Sequence, residues 1–330
     1  MSAIAALLPD GRLHLQHGPI DCLCRAWGEP GEIRSAYNQA AAFFATVLDD
    51  LCAELPLLRS PLPTLPPSGP IARAMHAACT PFDHAFITPM AAVAGSVADA
   101  ILAAMVRDRT LTRAFVNNGG DIAFHLTPGT SLRCGLVTDL PARVMAGLVP
   151  NPVLPPRVMA GLVPATHNLH SRYKRKPQPT DPAPAPRPTP DGTFLLTAAH
   201  PARGLATSGR ACKGHGGRSF SFGIADSVSI LACTAAQADA AATIVGNAID
   251  LPGHPAIDRR PASDIDPASD LGDRLVTFDV GSLNRDAIET ALDAGETMAD
   301  MLLRNGLIEG AVLTLRSHIR VLTPSCLEVA

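Results

Sequence analysis

Three short stretches of this chain combine small residues with oxygen donors at spacings that could do chemistry. They are Asn117-Asn118-Gly119-Gly120-Asp121, Ala206-Thr207-Ser208-Gly209 and Ala238-Asp239-Ala240-Ala241-Ala242-Thr243. Glycine and alanine let backbone come close to a phosphate-bearing ligand, while the Asn, Asp, Ser and Thr side chains supply hydrogen bonds or metal-binding oxygens. Asp239 and Thr243 are four apart, so on a helix they share a face and could both reach one hard cation. Beyond Gly209 come Arg210, Lys213, Gly214, Gly216, Gly217 and Arg218, a mixture suited to cradling phosphate. The Gly-Lys-Ser/Thr ending of a P-loop is absent.

Each stretch also has a purely structural reading. Asn-Gly between the apolar runs Arg113 to Val116 and Ile122 to Leu126 is a strong hairpin signal. Thr207-Ser208-Gly209 suits a flexible hairpin tip, and an Asp in a first helical turn complements the helix dipole. Spacing leaves both readings open. Cys22-x-Cys24 places two thiols on one strand face, but no second pair follows at zinc spacing, so a buried apolar pair is expected. His84 precedes Thr88 by a helical turn and could line a pocket; it is not read as a base. Neither a helical His-x-x-x-His pair nor a Gly-x-Ser-x-Gly elbow occurs.

The elements that must position these residues follow from periodicity. Arg12 to Gly18 and Pro19 to Gly28 read as a hairpin, and Glu32 to Leu55 as a long amphipathic helix. Leu57 to Pro70 is a Pro-rich connector, Ile71 to Ala78 a helix, and Thr80-Pro81 a break. Pro89 to Val106 reads as a helix capped by Thr88, with Ala91, Ala92, Ala94, Gly95, Ala98 and Ala100 permitting close approach of another backbone. Strands are expected over Thr112 to Leu126, Ser131 to Thr138, Gly192 to Ala198, Ser219 to Ile224, Val228 to Cys233, Arg274 to Val280 and Leu307 to Leu322. Helices are expected over Ala236 to Ile249 and Leu283 to Asn305. Without a strict strand–helix rhythm, the class expected is α+β, with mixed sheets packed against helices.

Residues 141–190 break this pattern. Arg143 to Pro150 recurs letter for letter as Arg157 to Pro164, and seven prolines follow between Pro177 and Pro190. The repeat resembles peptides translated from mobile palindromic elements. The segment reads as a disordered surface insertion within one domain formed by 1–140 and 191–330.

The 330 residues are 47% hydrophobic and only 4% aromatic, so the core must rest on Ala, Val, Leu and Ile. A net charge of −3 argues against nucleic-acid and anionic-membrane partners. No stretch is read as a membrane span and none as a signal peptide, and the eight scattered cysteines suit reduced thiols. Cytoplasm is the expected location.

Taken in order, the three stretches resemble the ApbE proteins, which move FMN from FAD onto a protein hydroxyl. The resemblance runs from about Pro9 to Pro324, excluding the insertion. It implies the ApbE-like fold and an FAD site made by Thr88, Gly95, Asp99, Asn118, Gly119, Gly120, Asp121, Thr207, Ser208 and Gly209, with Mg2+ on Asp239 and Thr243. Thr88 to Asp99 occupies the place of the family's Asp-x-Gly-Gly-x-Ala-Lys-Gly stretch and its following Val-Asp. Gly95 and Asp99 fit that pattern, whereas Thr88 replaces the acid, Met90-Ala91 the Gly-Gly and Ala94 the Lys. The His-x-x-Asp-Pro stretch becomes Ser221 to Asp226. These departures look like a branch of ApbE-like proteins with divergent active-site motifs.

The expectation is therefore a flavin or nucleotide pocket, with Mg2+-dependent FMN transfer to a Ser or Thr of an acceptor protein. Its alternatives are a binding protein that has lost transfer, or an enzyme acting on another phosphorylated cofactor. Ala-rich surfaces suggest a homodimer.

Overall fold

The computed structural model describes residues 2–136, 192–209 and 220–322. In chain order the strands are β1 (Ile4–Leu7), β2 (Leu13–His17), β3 (Ile20–Gly28), β4 (Leu111–Asn118), β5 (Asp121–Leu126), β6 (Ser131–Leu136) and β7 (Gly192–Thr197). They continue as β8 (Gly204–Ser208), β9 (Ser227–Ala232), β10 (Ile257–Pro261), β11 (Leu275–Val280), β12 (Gly310–Leu315) and β13 (His318–Leu322). The helices are α1 (Pro30–Ala53), α2 (Leu55–Leu58), α3 (Pro70–Cys79), α4 (Val93–Val106), α5 (Ala235–Ala248), α6 (Ala262–Ile265) and α7 (Arg285–Arg304).

Nine strands form one sheet in the order β1-β2-β3-β4-β5-β8-β9-β12-β13, with every neighbouring pair antiparallel. The class is α+β. Alternation along the strands gives the sheet two apolar faces. On one, Val116, Ala123, Ala206 and Ile230 join the main core with the helices. On the other, Phe124, Leu126, Leu205 and Leu231 pack with Leu132, Cys134 and Leu196 of the β6–β7 ribbon.

Helical spacing explains the layer above. α1 buries Ala36, Tyr37, Ala40, Phe44, Val47 and Leu51 at three- and four-residue intervals, with Pro30 opening the helix. α7 buries Ile288, Ala291, Leu292, Gly295, Ala299 and Leu302, and the Asn284 side chain caps it by accepting from Ala287 N at 2.8 Å. The segment Pro89–Val106 has the length and mean hydropathy (1.7 over 18 residues) of a membrane span, contrary to the reading from sequence. Half of it is buried within the fold, where α4 packs on α1, α5, β4 and β5.

One unit occurs twice. β2 and β3 lead into α1, and α4 leads back into β4 and β5; β8 and β9 lead into α5, and α7 leads back into β12 and β13. In each half the outgoing and returning hairpins lie side by side, β3 against β4 and β9 against β12. The halves meet at β5 and β8.

Several expectations are corrected. The strand expected over Ser219 to Ile224 is not formed in its described part: residues 220–226 are irregular, and side chains take both backbone groups of Phe222. Asn247 Oδ1 accepts from Phe222 N at 3.0 Å, and Arg259 donates to Phe222 O at 2.5 Å. Leu307 to Leu322 is two strands, turned by Arg316 and Ser317 at positive φ. Ile4–Leu7, too short to show alternation, pairs with β2 as an edge strand. Pro89–Ala92 is a 3-10 turn ahead of α4. Cys22 and Cys24 are buried on the helix-facing side of β3, where burial raises both thiol pKa values, that of Cys24 to about 12. The expected insertion, 141–190, lies outside the described residues.

Candidate functional site

Small residues decide how α4 and α5 meet. A Cβ added to Gly95 would run into the Ala235 carbonyl, and one on Gly204 would strike the Thr234–Ala235 peptide. Only glycine permits either contact. The first turns of the two helices therefore lie together, and each is capped by a carboxylate from the other. Asp99 of α4 accepts from Ala235 N at 3.1 Å and Ala236 N at 2.9 Å. Asp239 of α5 accepts from Gly95 N at 3.0 Å and also from the Ala94 N–H. Exposed helix donors and both dipole ends favour negative charge at these points.

Thr88, expected as the cap of α4, makes no such bond. It is buried, and its Oγ1 donates to Asp270 Oδ2 at 2.6 Å. The acceptor that takes its hydroxyl, Asp270, is remote in sequence, and the helix it was expected to cap begins only after the 3-10 turn Pro89–Ala92. His84 is exposed in the turn preceding Thr88.

The Asn117 to Asp121 stretch is the hairpin its structural reading describes. Gly119 and Gly120 adopt φ of 66° and 114°, and Asn117 Oδ1 accepts from Gly120 N at 2.9 Å. Nothing lies within 4 Å of a Cβ built on either glycine, so the tip is open. Asn118 and Asp121 are cross-strand partners directed toward the helices. Asn118 Nδ2 donates to Ala94 O at 3.1 Å, tying the hairpin to the start of α4. Asp121 Oδ1 accepts from Thr207 N at 3.1 Å.

Asp121 and Asp239 are near enough that the charge of Asp121 acts on Asp239. Burial pushes Asp121 up to about 7, against the lowering effect of the Thr207 N–H. Asp239 is raised well above the ordinary carboxylate value, by burial first and the Asp121 charge second, although two backbone donors oppose the shift. It keeps partial solvent access at the residue surface even though protein surrounds its carboxyl group. Asp99 is raised by burial to about 6 despite its two N–H partners. Among the described residues no Arg, Lys or His forms an ion pair with any of the three.

The helical stripe Asp239, Thr243, Gly246 runs over β8. A Cβ at Gly246 would lie 3.9 Å from Ser208 Oγ, which places the Ser208 hydroxyl under this stripe. Thr207 does not join it. Strand alternation sends its side chain to the opposite face, where Oγ1 lies 3.0 Å from Ser229 Oγ. Gly209 has φ of 132°, and a Cβ there would approach Asp226 O to 2.5 Å. The cationic and Gly-rich stretch 210–219 lies outside the described residues.

Asp121 of β5 and Ser208 of β8 thus lie on the helix-facing side of the sheet, and Asp239 and Thr243 share the stripe of α5 that runs over Ser208. Gly95 and Asp99 are engaged in the helix contact, Gly119 and Gly120 form the open tip, and Thr88 and Thr207 point elsewhere. Sequence reasoning missed the Asp121–Asp239 juxtaposition, the cross-capping and the Ser229 partner; no local spacing encodes them. Among the described residues no group of three or more His, Cys, Asp or Glu gathers as a metal site. Two carboxylates and a hydroxyl suffice for Mg2+, which keeps several positions for water and phosphate oxygens.

The chain matches the family described as "AbpE bacteria" over residues 5–160 and 180–321, most of its length, and it belongs to that family. That overturns the ApbE-like assignment drawn from the three motifs, since the matching family carries a different name. The physical source of the resemblance is visible in the fold. An Asn-Gly turn, a close-contact glycine and two capping aspartates are demanded by packing, and short motifs made of such residues discriminate poorly. No curated protein matches the chain.

Proposed function

We propose that this protein binds a phosphate-bearing cofactor, a flavin such as FAD or another nucleotide, through Mg2+ held between Asp121 and Asp239. The observation that supports it is the pair itself: two interacting carboxylates, Asp121 buried and Asp239 partly so, without a cationic partner among the described residues. Like charges in such a place raise each other's proton affinity, and a divalent cation relieves the repulsion directly. Thr243 adds an oxygen from the next turn of α5, and Ser208 offers a hydroxyl to a phosphate oxygen. The open Gly119-Gly120 tip leaves room for ligand beside the pair. When bound, the cation supplies charge neutralisation to the phosphates.

The test is an FAD titration of the full chain with and without Mg2+, repeated on Asp121→Asn, which keeps shape and removes charge. Micromolar, Mg2+-dependent binding that the variant loses by about tenfold or more is the expected result, the scale of one charge-assisted contact. Binding unchanged by Mg2+ or by Asp121→Asn would sink the reading. The absorption spectrum of the purified protein reports any flavin it retains.

A further inference from the structure

The β10–β11 ribbon carries three arginines whose surroundings differ. Arg259 is ion-paired with Asp250 and donates to Phe222 O. Arg260 lies over the Phe278 ring but pairs with Asp258 at 2.9 Å. Arg274, exposed immediately before β11, lies 3.5 Å over the Phe86 ring, and its guanidinium makes no hydrogen bond or ion pair among the described residues. The neighbouring carboxylates are already engaged. Asp270 accepts from Thr88 Oγ1, and Asp273 accepts from Ser263 Oγ at 2.7 Å.

The ring beneath Arg274 is fixed in place. Phe86 meets Phe222 edge-on, with centroids 5.9 Å apart. The Phe222 backbone is held at both ends, its N–H by Asn247 and its carbonyl by Arg259 and Thr277. Gly223 packs directly on the Gly246 carbonyl of α5, the residue whose other side faces Ser208. From the opposite direction, Phe86 is two residues from Thr88. The 3-10 turn Pro89–Ala92, about 8 Å long at its usual rise, separates Thr88 from the helix start that Asp239 caps. The stacked pair is thus attached to α5 and to the turn that leads into α4, the two helices that meet at Asp239.

We propose that Arg274, held flat on Phe86, is an anion-binding arm of this site and takes a phosphate oxygen of the cofactor. This rests on the cofactor reading above for the identity of the ligand, though not for the chemistry of the arm. Stacking costs the guanidinium none of its donors, keeps its edge free and removes much of the freedom it would lose on binding, which suits it to a tetrahedral oxyanion. The shared chemistry is phosphate; FAD, ATP and inorganic pyrophosphate are its distinguishable sources.

Titrations of FAD, ATP and pyrophosphate into the full chain test it, alongside Mn2+ binding followed by electron paramagnetic resonance. Arg274→Gln should weaken the phosphate ligand by about tenfold and flatten the salt dependence of its affinity, while Mn2+ binding stays unchanged. Phe86→Leu, which keeps the charge and frees the arm, should cost about threefold. Because Arg274 is exposed, the folding of its variant is checked by its melting curve alone. Wild-type binding that needs Asp121 but is indifferent to Arg274→Gln overturns this proposal and leaves the cofactor reading intact. Pyrophosphate binding that needs Arg274 but neither Mg2+ nor Asp121 overturns the cofactor reading and this proposal together, since Arg274 would then act apart from the carboxylate pair. Absence of binding by all three phosphates overturns both.

Discussion

The two halves of the sheet are built to one plan, and they differ in who caps their inner helices. α5, in the second half, carries its own cap: Thr234 Oγ1 accepts from Gln237 N at 3.1 Å, and Asp99 adds two further bonds. α4, in the first half, has no side-chain cap of its own and depends on Asp239 from across the seam. The second half could keep its helix start alone; the first could not. Charge is therefore concentrated where the halves join, and the Asp121–Asp239 pair is a by-product of that dependence.

The contrast is broken most severely at the contact that makes it possible. Gly95→Val would force α4 off α5, with an expected loss of about 3 kcal/mol or more in denaturant unfolding, at the upper end for overpacking. Removing the caps one at a time sharpens it. Asp99→Ala should cost about 2 kcal/mol, whereas Asp239→Ala should cost less, because losing that cap also ends the repulsion with Asp121. Equal losses in urea melts would show that the repulsion carries no weight.

Acidity gives a third comparison. Asp99 and Asp121 titrate higher folded, at about 6 and about 7, than the ordinary 3.8. Groups raised in this way stabilise fully below the unfolded value, and that contribution is lost as pH rises through the folded value. The ligand-free protein should lose stability between about pH 4 and pH 7 from these two groups, and Asp121→Asn should flatten the upper part of the decline. Melting temperatures across that range provide the measurement. The smallest effect belongs to the far face of the sheet. Thr207→Val should cost about 1 kcal/mol through the lost Ser229 bond while leaving cofactor affinity unchanged. A large drop in affinity would return Thr207 to the site.

Local chemistry made much of this molecule legible. The spacing of Tyr37, Ala40, Phe44, Val47 and Leu51 specifies α1, and the Asn-Gly turn specifies the β4–β5 hairpin, because both depend on neighbours in sequence. The small residues of Pro89 to Val106 announce a close contact without naming its partner. What stayed hidden depends on distant groups. Thr88 has the composition of a cap, but Asp270 takes its hydroxyl; Ser219 to Ile224 has the composition of a strand, but Asn247 and Arg259 take the bonds of Phe222. Thr207 and Ser208 look equivalent in sequence and face opposite sides of a sheet, a distinction fixed only by register.

The β6–β7 ribbon has a consequence for how the gene can change. Its ladder closes with Leu136 opposite Gly192, so the two ends of the intervening sequence lie at adjacent points. Whatever length is written between them leaves the sheet's register untouched, and the closure cost grows only with the logarithm of that length. The duplicated Arg143 to Pro150 peptide falls in this interval. The ribbon is a port through which coding sequence can be gained without disturbing the seam, and it is the place to graft a reporter or an affinity tag into the middle of the polypeptide.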